Sequence, residues 1–256
     1  MANVKNINVL PLYPEVGETA QEWVFRALRF AIMTGQVQPG QAITIRAIAA
    51  MLGVSAMPVR EALKRLVAEG ALVMKINRRI EVPSIDQAKL SELLELRIAL
   101  ETFAGERALP YIDDALIDQL ALLDDEQNKA IERNDPIGTI LKNQELHRTL
   151  YTRHPNPVSM PAIERVWLQM GPLHRIALAT LQDHYMVDRH GEMITALKER
   201  NLFGLKVAIE ADIRDGAGFM TQKTLLDQAD DPNLSMPKPG YTDMLTAKKP
   251  MVDKQH

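Results

Sequence analysis

Ala47-Ile-Ala-Ala-Met-Leu-Gly-Val-Ser-Ala-Met-Pro-Val-Arg-Glu-Ala-Leu-Lys-Arg-Leu-Val-Ala-Glu-Gly70 is the stretch whose reading decides the fold. It reads as two short helices joined by a sharp turn. The first spans about Thr44 to Leu52, with Thr44 as N-cap and Ile48 and Leu52 one turn apart on a single face. Gly53 supplies the positive φ that reverses the chain, and Val54 plugs the corner. Ser55 is placed to cap the second helix. Pro58 is tolerated in its first turn, where amides lack intrahelical partners. Val59, Ala62, Leu63, Leu66 and Val67 make a buried stripe at helical spacing, leaving Arg60, Lys64 and Arg65 outside it. A short helix, a glycine turn and a second helix with a basic outer face form the helix-turn-helix pattern. An ordinary αα-hairpin with a solvated charged face shares this periodicity, so the flanking residues must separate the two.

Downstream, Leu72-Val-Met-Lys-Ile76 and Ile80-Glu-Val82 are β-prone runs around Asn77-Arg78-Arg79. Asn tolerates the left-handed backbone that tight turns need, so a hairpin is expected with Arg78 and Arg79 at its tip. A hairpin following a recognition helix is a wing, and its arginines would reach phosphate or the minor groove. Upstream, Met1–Gly17 has two prolines and little periodicity, and the arm over residues 1–18 is expected to be flexible. Thr19-Ala-Gln-Glu22 fits a capping box, and Trp23, Val24, Ala27, Leu28, Ala31 and Ile32 follow at helical spacing. Gly35 ends that helix and Pro39-Gly40 marks a turn. Residues 1–84 hold ten Lys/Arg against six Asp/Glu, whereas residues 85–256 hold twenty against twenty-seven, in a chain of formal net charge −3. A basic head on an acidic body suits a protein that touches phosphate at one end only.

The run Val-Ser-Ala-Met-Pro-Val-Arg-Glu-Ala-Leu-Lys-Arg-Leu-Val-Ala-Glu-Gly resembles the recognition helix of GntR-type bacterial transcription regulators, usually V-S-R-x-P-V-R-E-A-L-x-x-L-x-x-E-G. The C-terminal region resembles the FCD type of ligand-binding domain of the FadR-like branch. The likeness covers about residues 19–222. It implies a winged helix-turn-helix over 19–83, then an all-α bundle over 84–222 that binds a ligand and dimerises. It also implies that Arg46 and Arg60 contact operator DNA; with the outer face of the second helix and the wing tip read above, the expected DNA-facing set is Arg46, Ser55, Met57, Arg60, Lys64, Arg78 and Arg79. Ala56 stands where the family usually has an Arg that contacts a guanine edge. A bidentate contact of that kind is worth about 1–3 kcal/mol of discrimination. Arg79 stands where a wing-tip Gly is common.

At 256 residues with 25% charged and 46% apolar residues, the chain has ordinary globular composition and length for two domains. It has no cysteine, which removes disulfides, thiolate metal sites and cysteine catalysis. No apolar run approaches the roughly 20 residues that span a bilayer, and the N-terminus lacks a signal-peptide pattern, so a cytoplasmic location and no membrane partner are expected. Pro83-Ser84 reads as a boundary, with Ser84 or Asp86 capping the next helix. From there the pattern is helical throughout: Leu90–Phe103, Leu116–Arg133, Ile137–Tyr151, Met160–Leu181, Met186–Arg200 and Leu202–Gln222, with Asn201 as an N-cap. Residues 223–256, with four prolines and little periodicity, read as a disordered or peripheral tail.

Asn143 and His147 lie four apart and share a helix face, while His190 and Asp212 fall on later helices. Nitrogen and oxygen donors on facing helices are how bundles build metal sites, although lone histidines are often solvated polar residues. Many FCD domains hold a divalent metal with Asp-x-x-x-His and two further histidines. The resemblance puts Asn143 in place of that Asp, His147 and His190 as matches, and Asp212 in place of the third His. It therefore implies a zinc, nickel or manganese ion held by Asn143, His147, His190 and Asp212, more weakly than by the full set. His174 and His184 are conceivable substitutes. Arg97, in Glu-Leu-Arg-Ile-Ala-Leu-Glu101, looks like an inward family Arg that could grip a carboxylate effector bidentately; a salt bridge to Glu101 is the alternative.

Three functions follow as expectations. The first is a homodimeric, ligand-responsive regulator that binds double-stranded operator DNA under the control of a small organic acid. The second is an architectural dimeric DNA binder with no working effector site. The third is a metal-dependent enzyme, disfavoured because no nucleophile–base–orienter set, phosphate loop or zincin motif is present.

Overall fold

The computed structural model describes residues 12–184 and 188–217, apart from the side chains of 175–184. It is mainly helical, with a small sheet in the N-terminal part. Helix α1 (Ala20–Met33) starts with the expected capping box: Glu22 N–H donates to Thr19 Oγ1 (3.2 Å), and Thr19 N–H to Glu22 Oε2 (2.9 Å). The segment before it is tied down over its described part. Trp23 Nε1 donates to the Leu12 carbonyl (2.5 Å), and Arg26 bonds Tyr13 O and pairs with Glu18. The arm expected to be flexible is therefore held against α1 from Leu12 onward, and residues 1–11 lie outside the described set.

Strand β1 (Ala42–Ile43) leads into α2 (Ile45–Leu52), whose N-cap Thr44 accepts from Ala47 N–H. Gly53 takes φ 67° and turns the chain into α3 (Ala56–Ala68), which buries Val59, Ala62, Leu63 and Leu66. Ser55 occupies the N-cap position but makes no capping bond. Its usual partner is the amide three residues on, and that residue is Pro58, which has no N–H. Strands β2 (Val73–Met74) and β3 (Ile80–Glu81) form the wing, and β3 lies between β1 and β2 in an antiparallel sheet. The left-handed residue at its tip is Arg78 (φ 61°), not Asn77. Asn77 contributes its side chain instead, accepting from Arg79 N–H (3.1 Å) in an Asx-type turn.

The bundle comprises α4 (Gln87–Ala108), a 3₁₀ turn (Leu109–Tyr111), α5 (Asp114–Glu132), α6 (Pro136–Tyr151), α7 (Met160–His184), α8 (Arg189–Lys198) and α9 (Leu202–Ala217). Asp86, Asp113, Asp135, Asp188 and Asn201 each accept from an amide of the first turn that follows, which is why these helices begin where they do. Asp188 moves the start of α8 to Arg189, later than the expected Met186, which lies outside the described residues. The stretch expected to extend α9 to Gln222, and the whole tail, also lie outside them. Helix α4 packs along α9, α5 along α6, and α8 along α9, while α7 packs on α4 and on α1 of the head. One buried cluster runs from Val24, Leu28 and Leu66 in the head to Leu150, Trp167 and Ile209 in the bundle.

Arg78 is exposed and strained, because a left-handed backbone costs a side-chain-bearing residue roughly 1–2 kcal/mol. Arg78→Gly is expected to raise unfolding stability by about 1 kcal/mol, less the entropy that glycine adds to the unfolded chain. The denaturant midpoint checks this; an unchanged or lower midpoint would mean that Arg78 makes native contacts outweighing its strain.

Candidate functional site

The polar centre of the bundle is built by residues on six helices. His147 lies on the buried face of α6 with Leu146, Leu150 and Tyr151. His190 is the second residue of α8, placed by the Asp188 cap. Asp212 projects from α9, Asp124 from α5, Arg97 and Glu101 from α4, and Trp167 from α7. Each imidazole offers a nitrogen, and Asp212 an oxygen, to a cluster whose donor atoms all lie within 4.8 Å of one another.

The hydrogen bonds assign the ring tautomers. Tyr151 donates its hydroxyl to Glu101 Oε2 (3.1 Å), so its oxygen accepts from His147 Nδ1 (3.0 Å). His190 Nδ1 donates to Asp124 Oδ1 (2.9 Å). Both Nε2 atoms therefore carry their lone pairs inward. His147 Nε2 lies 3.2 Å from Asp212 Oδ2 and His190 Nε2 lies 3.5 Å from Asp212 Oδ1. His147 Nε2 is buried and has no hydrogen-bond partner among the described residues. Two inward lone pairs facing a carboxylate form a cation-binding arrangement, and each ring is held from behind as metal-ligating histidines usually are. The donor set thus fits a divalent ion of borderline hardness.

Asn143 also reaches the centre, but through its Nδ2, which donates to His190 Nε2 (3.2 Å), and not with its oxygen presented. Arg97 is largely buried, and its Nε donates to Glu101 Oε1 (2.7 Å), so the salt bridge is present. Its terminal nitrogens make no hydrogen bond to the described residues. His174 stands apart, with Nδ1 donating to the Met33 carbonyl (2.8 Å); burial pushes its pKa down to about 4. The side chain of His184 lies outside the described set.

The electrostatics follow from burial and charge. Burial pushes the Asp212 carboxyl up, but His147 and His190 in their protonated form, together with Arg97, outweigh it and hold its pKa at about 2. Burial disfavours the His190 imidazolium, yet Asp124 and Asp212 together raise its pKa above the ordinary histidine value. Asp124 and Trp167 were not singled out from sequence, and Glu101 only as a partner for Arg97. The signal for the two acids was a charged residue inside an apolar face: Glu101 between Ile98 and Ala104 on α4, and Asp124 beside Leu120 and Leu123 on α5.

The second polar surface is on the head. Arg46, Ser55, Met57, Arg60, Lys64, Arg78 and Arg79 are all exposed, and Met57, Arg60 and Lys64 share one face of α3. Glu61 pairs with Lys64 (2.8 Å) and Glu81 braces Arg79 (3.7 Å). Arg46, Arg60 and Arg78 make no ion pair with the described residues.

Residues 20–82 match the model of bacterial regulatory proteins of the gntR family, and residues 92–215 match that of the FCD domain. The transcriptional regulator McbR of Escherichia coli is 27% identical over 77% of this chain and 90% of its own. Its solved structure superposes with a TM-score of 0.71, covering 82% of this chain and 98% of that one. An uncharacterised HTH-type regulator of Agrobacterium vitis is 33% identical over 49% of this chain and 75% of its own. The gluconate operon transcriptional repressor of Bacillus subtilis is 24% identical over 68% and 74%.

Removing the Asp124 carboxylate charge by Asp124→Asn is expected to lower the titration midpoint of His190, since its raised value depends on that neighbour. Ring-proton NMR reads the midpoint. No movement would mean that Asp212 alone sets it.

Proposed function

We propose a function from one premise: the chain belongs to the GntR family of bacterial regulatory proteins and carries an FCD domain, so it is a transcription regulator and not an enzyme. In this reading the head docks α3 in the major groove of operator DNA, with Arg60, Lys64 and Met57 toward base edges and phosphates. Arg46 and Ser55 flank them, and the wing brings Arg78 and Arg79 to the adjacent backbone. The bundle holds an effector at His147, His190 and Asp212, and the observation that carries this is the orphaned, buried His147 Nε2 facing Asp212.

A zinc, nickel or manganese ion held by His147, His190 and Asp212 would leave coordination positions open for a carboxylate oxygen. Asn143 would turn its amide to present oxygen or give way. The free end of the Arg97 guanidinium would take the other end of a small organic acid, a class that includes the sugar acid named for the Bacillus subtilis repressor's operon. Glu101 keeps Arg97 aimed inward, and Tyr151 and Asp124 keep the two imidazoles in the ligating tautomer.

The operator reader works as a homodimer in this reading, since paired heads at fixed spacing read two-fold sites. Helix α4 offers the surface. Glu92, Leu96, Ala99, Phe103 and Arg107 are exposed along one seam, and both large side chains are nearly half-exposed (46% and 49%). Antiparallel pairing about the midpoint of Ala99 and Leu100 sets Leu96 against the second copy's Phe103 and Glu92 against its Arg107, a self-complementary match.

Selection on randomised duplexes is expected to recover a palindrome. Arg60→Ala should abolish enrichment while the fold is kept, and recovery of no sequence by the parent protein counts against the reading. Calorimetric titration should show zinc binding well below millimolar, weakening as pH falls through the raised His190 value because the ion competes with protons. His147→Ala with His190→Ala should abolish uptake. If no metal binds, the metal-anchored effector reading fails and the architectural reading gains.

Leu96→Glu combined with Phe103→Glu should convert the dimer to monomer by light scattering. A dimer of unchanged affinity would place the interface elsewhere.

A further inference from the structure

Helix α3 ends in a left-handed Gly70, and the closing turn uses the Leu66 and Val67 carbonyls: Ala71 N–H donates to the first (3.0 Å) and Gly70 N–H to the second (3.1 Å). The carbonyls of Ala68 and Glu69 remain. Both are taken from outside the head, by side chains of α7. Arg165 Nη2 donates to Ala68 O (2.8 Å), and Gln169 Nε2 makes a longer bond to Glu69 O (3.4 Å) while its amide lies against Gly70. The end of α1 is treated the same way, since His174 donates to the Met33 carbonyl. The two backbones also approach closely there. A Cβ added at Gly171 would fall 2.3 Å from Ile32 O and 2.7 Å from Met33 Cα, so only glycine fits. Glu164 completes the seam by pairing with Arg29 (2.9 Å) and Arg148.

Arg165 and Gln169 are each two positions from Trp167, so helical periodicity sends Trp167 to the opposite side of α7. There it is buried, donates from Nε1 to Glu101 Oε1 (2.8 Å), and lies 6.5 Å from the His147 ring. Glu101 is the acceptor that also holds Arg97 and Tyr151. One helix therefore carries the terminal hydrogen-bond partners of the head on one side and a partner of the central carboxylate on the other. Pro172 interrupts it beside Gly171, removing the amide that would bond Leu168 O, and such a break is a place for a helix to bend.

We propose that Arg165 and Gln169 are positioning residues for the recognition helix, fixing its C-terminal end so that the Glu101–His147 centre sets the angle of α3 through Trp167. The coupling half of this rests on the effector reading above; the positioning half does not. In this proposal these residues act through α3 and not by contact with DNA.

The test uses the full-length protein, the duplex recovered by selection and zinc as the probe. Arg165→Met with Gln169→Leu removes both donors and keeps the bulk. Hydrogen exchange should accelerate over residues 66–72 and stay unchanged over 143–151. Operator affinity should fall about tenfold, as for residues on a coupling route. Its salt slope should be unchanged, because no phosphate contact is lost. The zinc-induced change in operator affinity should shrink to less than half of the parental value. Arg165→Lys, which restores a donor at that position, should recover most of each. A double variant with parental exchange and affinity overturns the proposal. A parent protein that binds operator but ignores zinc refutes the effector reading and the coupling with it; affinity and exchange then decide the positioning alone.

Discussion

A carboxylate with no exposed surface sits at the middle of the bundle, and the arrangement around it follows from the need to satisfy Glu101. A buried charge is tolerated only when it is paired and hydrogen-bonded. Arg97 supplies the charge from one turn away on the same helix, Trp167 an N–H from α7, and Tyr151 an O–H from α6. Three helices are thereby fixed around two oxygen atoms. Leaving any donor out would strand part of the carboxylate, at about 1–3 kcal/mol or more for a charged group. Because the Tyr151 proton is committed to Glu101, the only role left for its oxygen toward His147 is that of acceptor. The tautomer of the inner imidazole is thus settled two residues away from the ring.

Much of the architecture was legible because it is written in local chemistry. The Thr19/Glu22 capping box, the Gly53 turn, the Asp86 and Asn201 caps and the α3 stripe all depend on residues within one or two turns of each other, and each appears where the spacing placed it, except that Val67 of the stripe is only half-buried. Two local details went the other way for equally local reasons. Ser55 makes no capping bond, since the amide three residues on, its usual donor, is missing at Pro58, and the wing tip puts its left-handed residue at Arg78 while Asn77 spends its side chain on the Arg79 amide.

The centre was only half legible. His147, His190 and Asp212 do converge, and the family pattern had pointed at them. Asp124 and Trp167 stayed hidden because their roles exist only after α5 and α7 have packed; the partners that define those roles, His190 and Glu101, are each 66 residues away in sequence. Arg97 shows the same limit. The ion pair with Glu101 is present through Nε, while the outer nitrogens, which make no hydrogen bond to the described residues, leave the inward grip as a proposal.

The buried cluster that continues from α1 and α3 into α4, α6 and α7 bears on how such a molecule could be rebuilt. Exchanging readers between regulators treats the head as a cassette joined by a linker. Here a cassette cut at Pro83 would carry away Ile32 and Leu66 from a shared interior, and would expose the carbonyls that α7 side chains occupy. A working chimera would need the segment from Glu164 to His174 to travel with the head, or a recipient whose own seventh helix offers a glycine and matching donors at the same heights. In modular terms, the joint between reader and sensor is a surface, and the connecting peptide is the least of it.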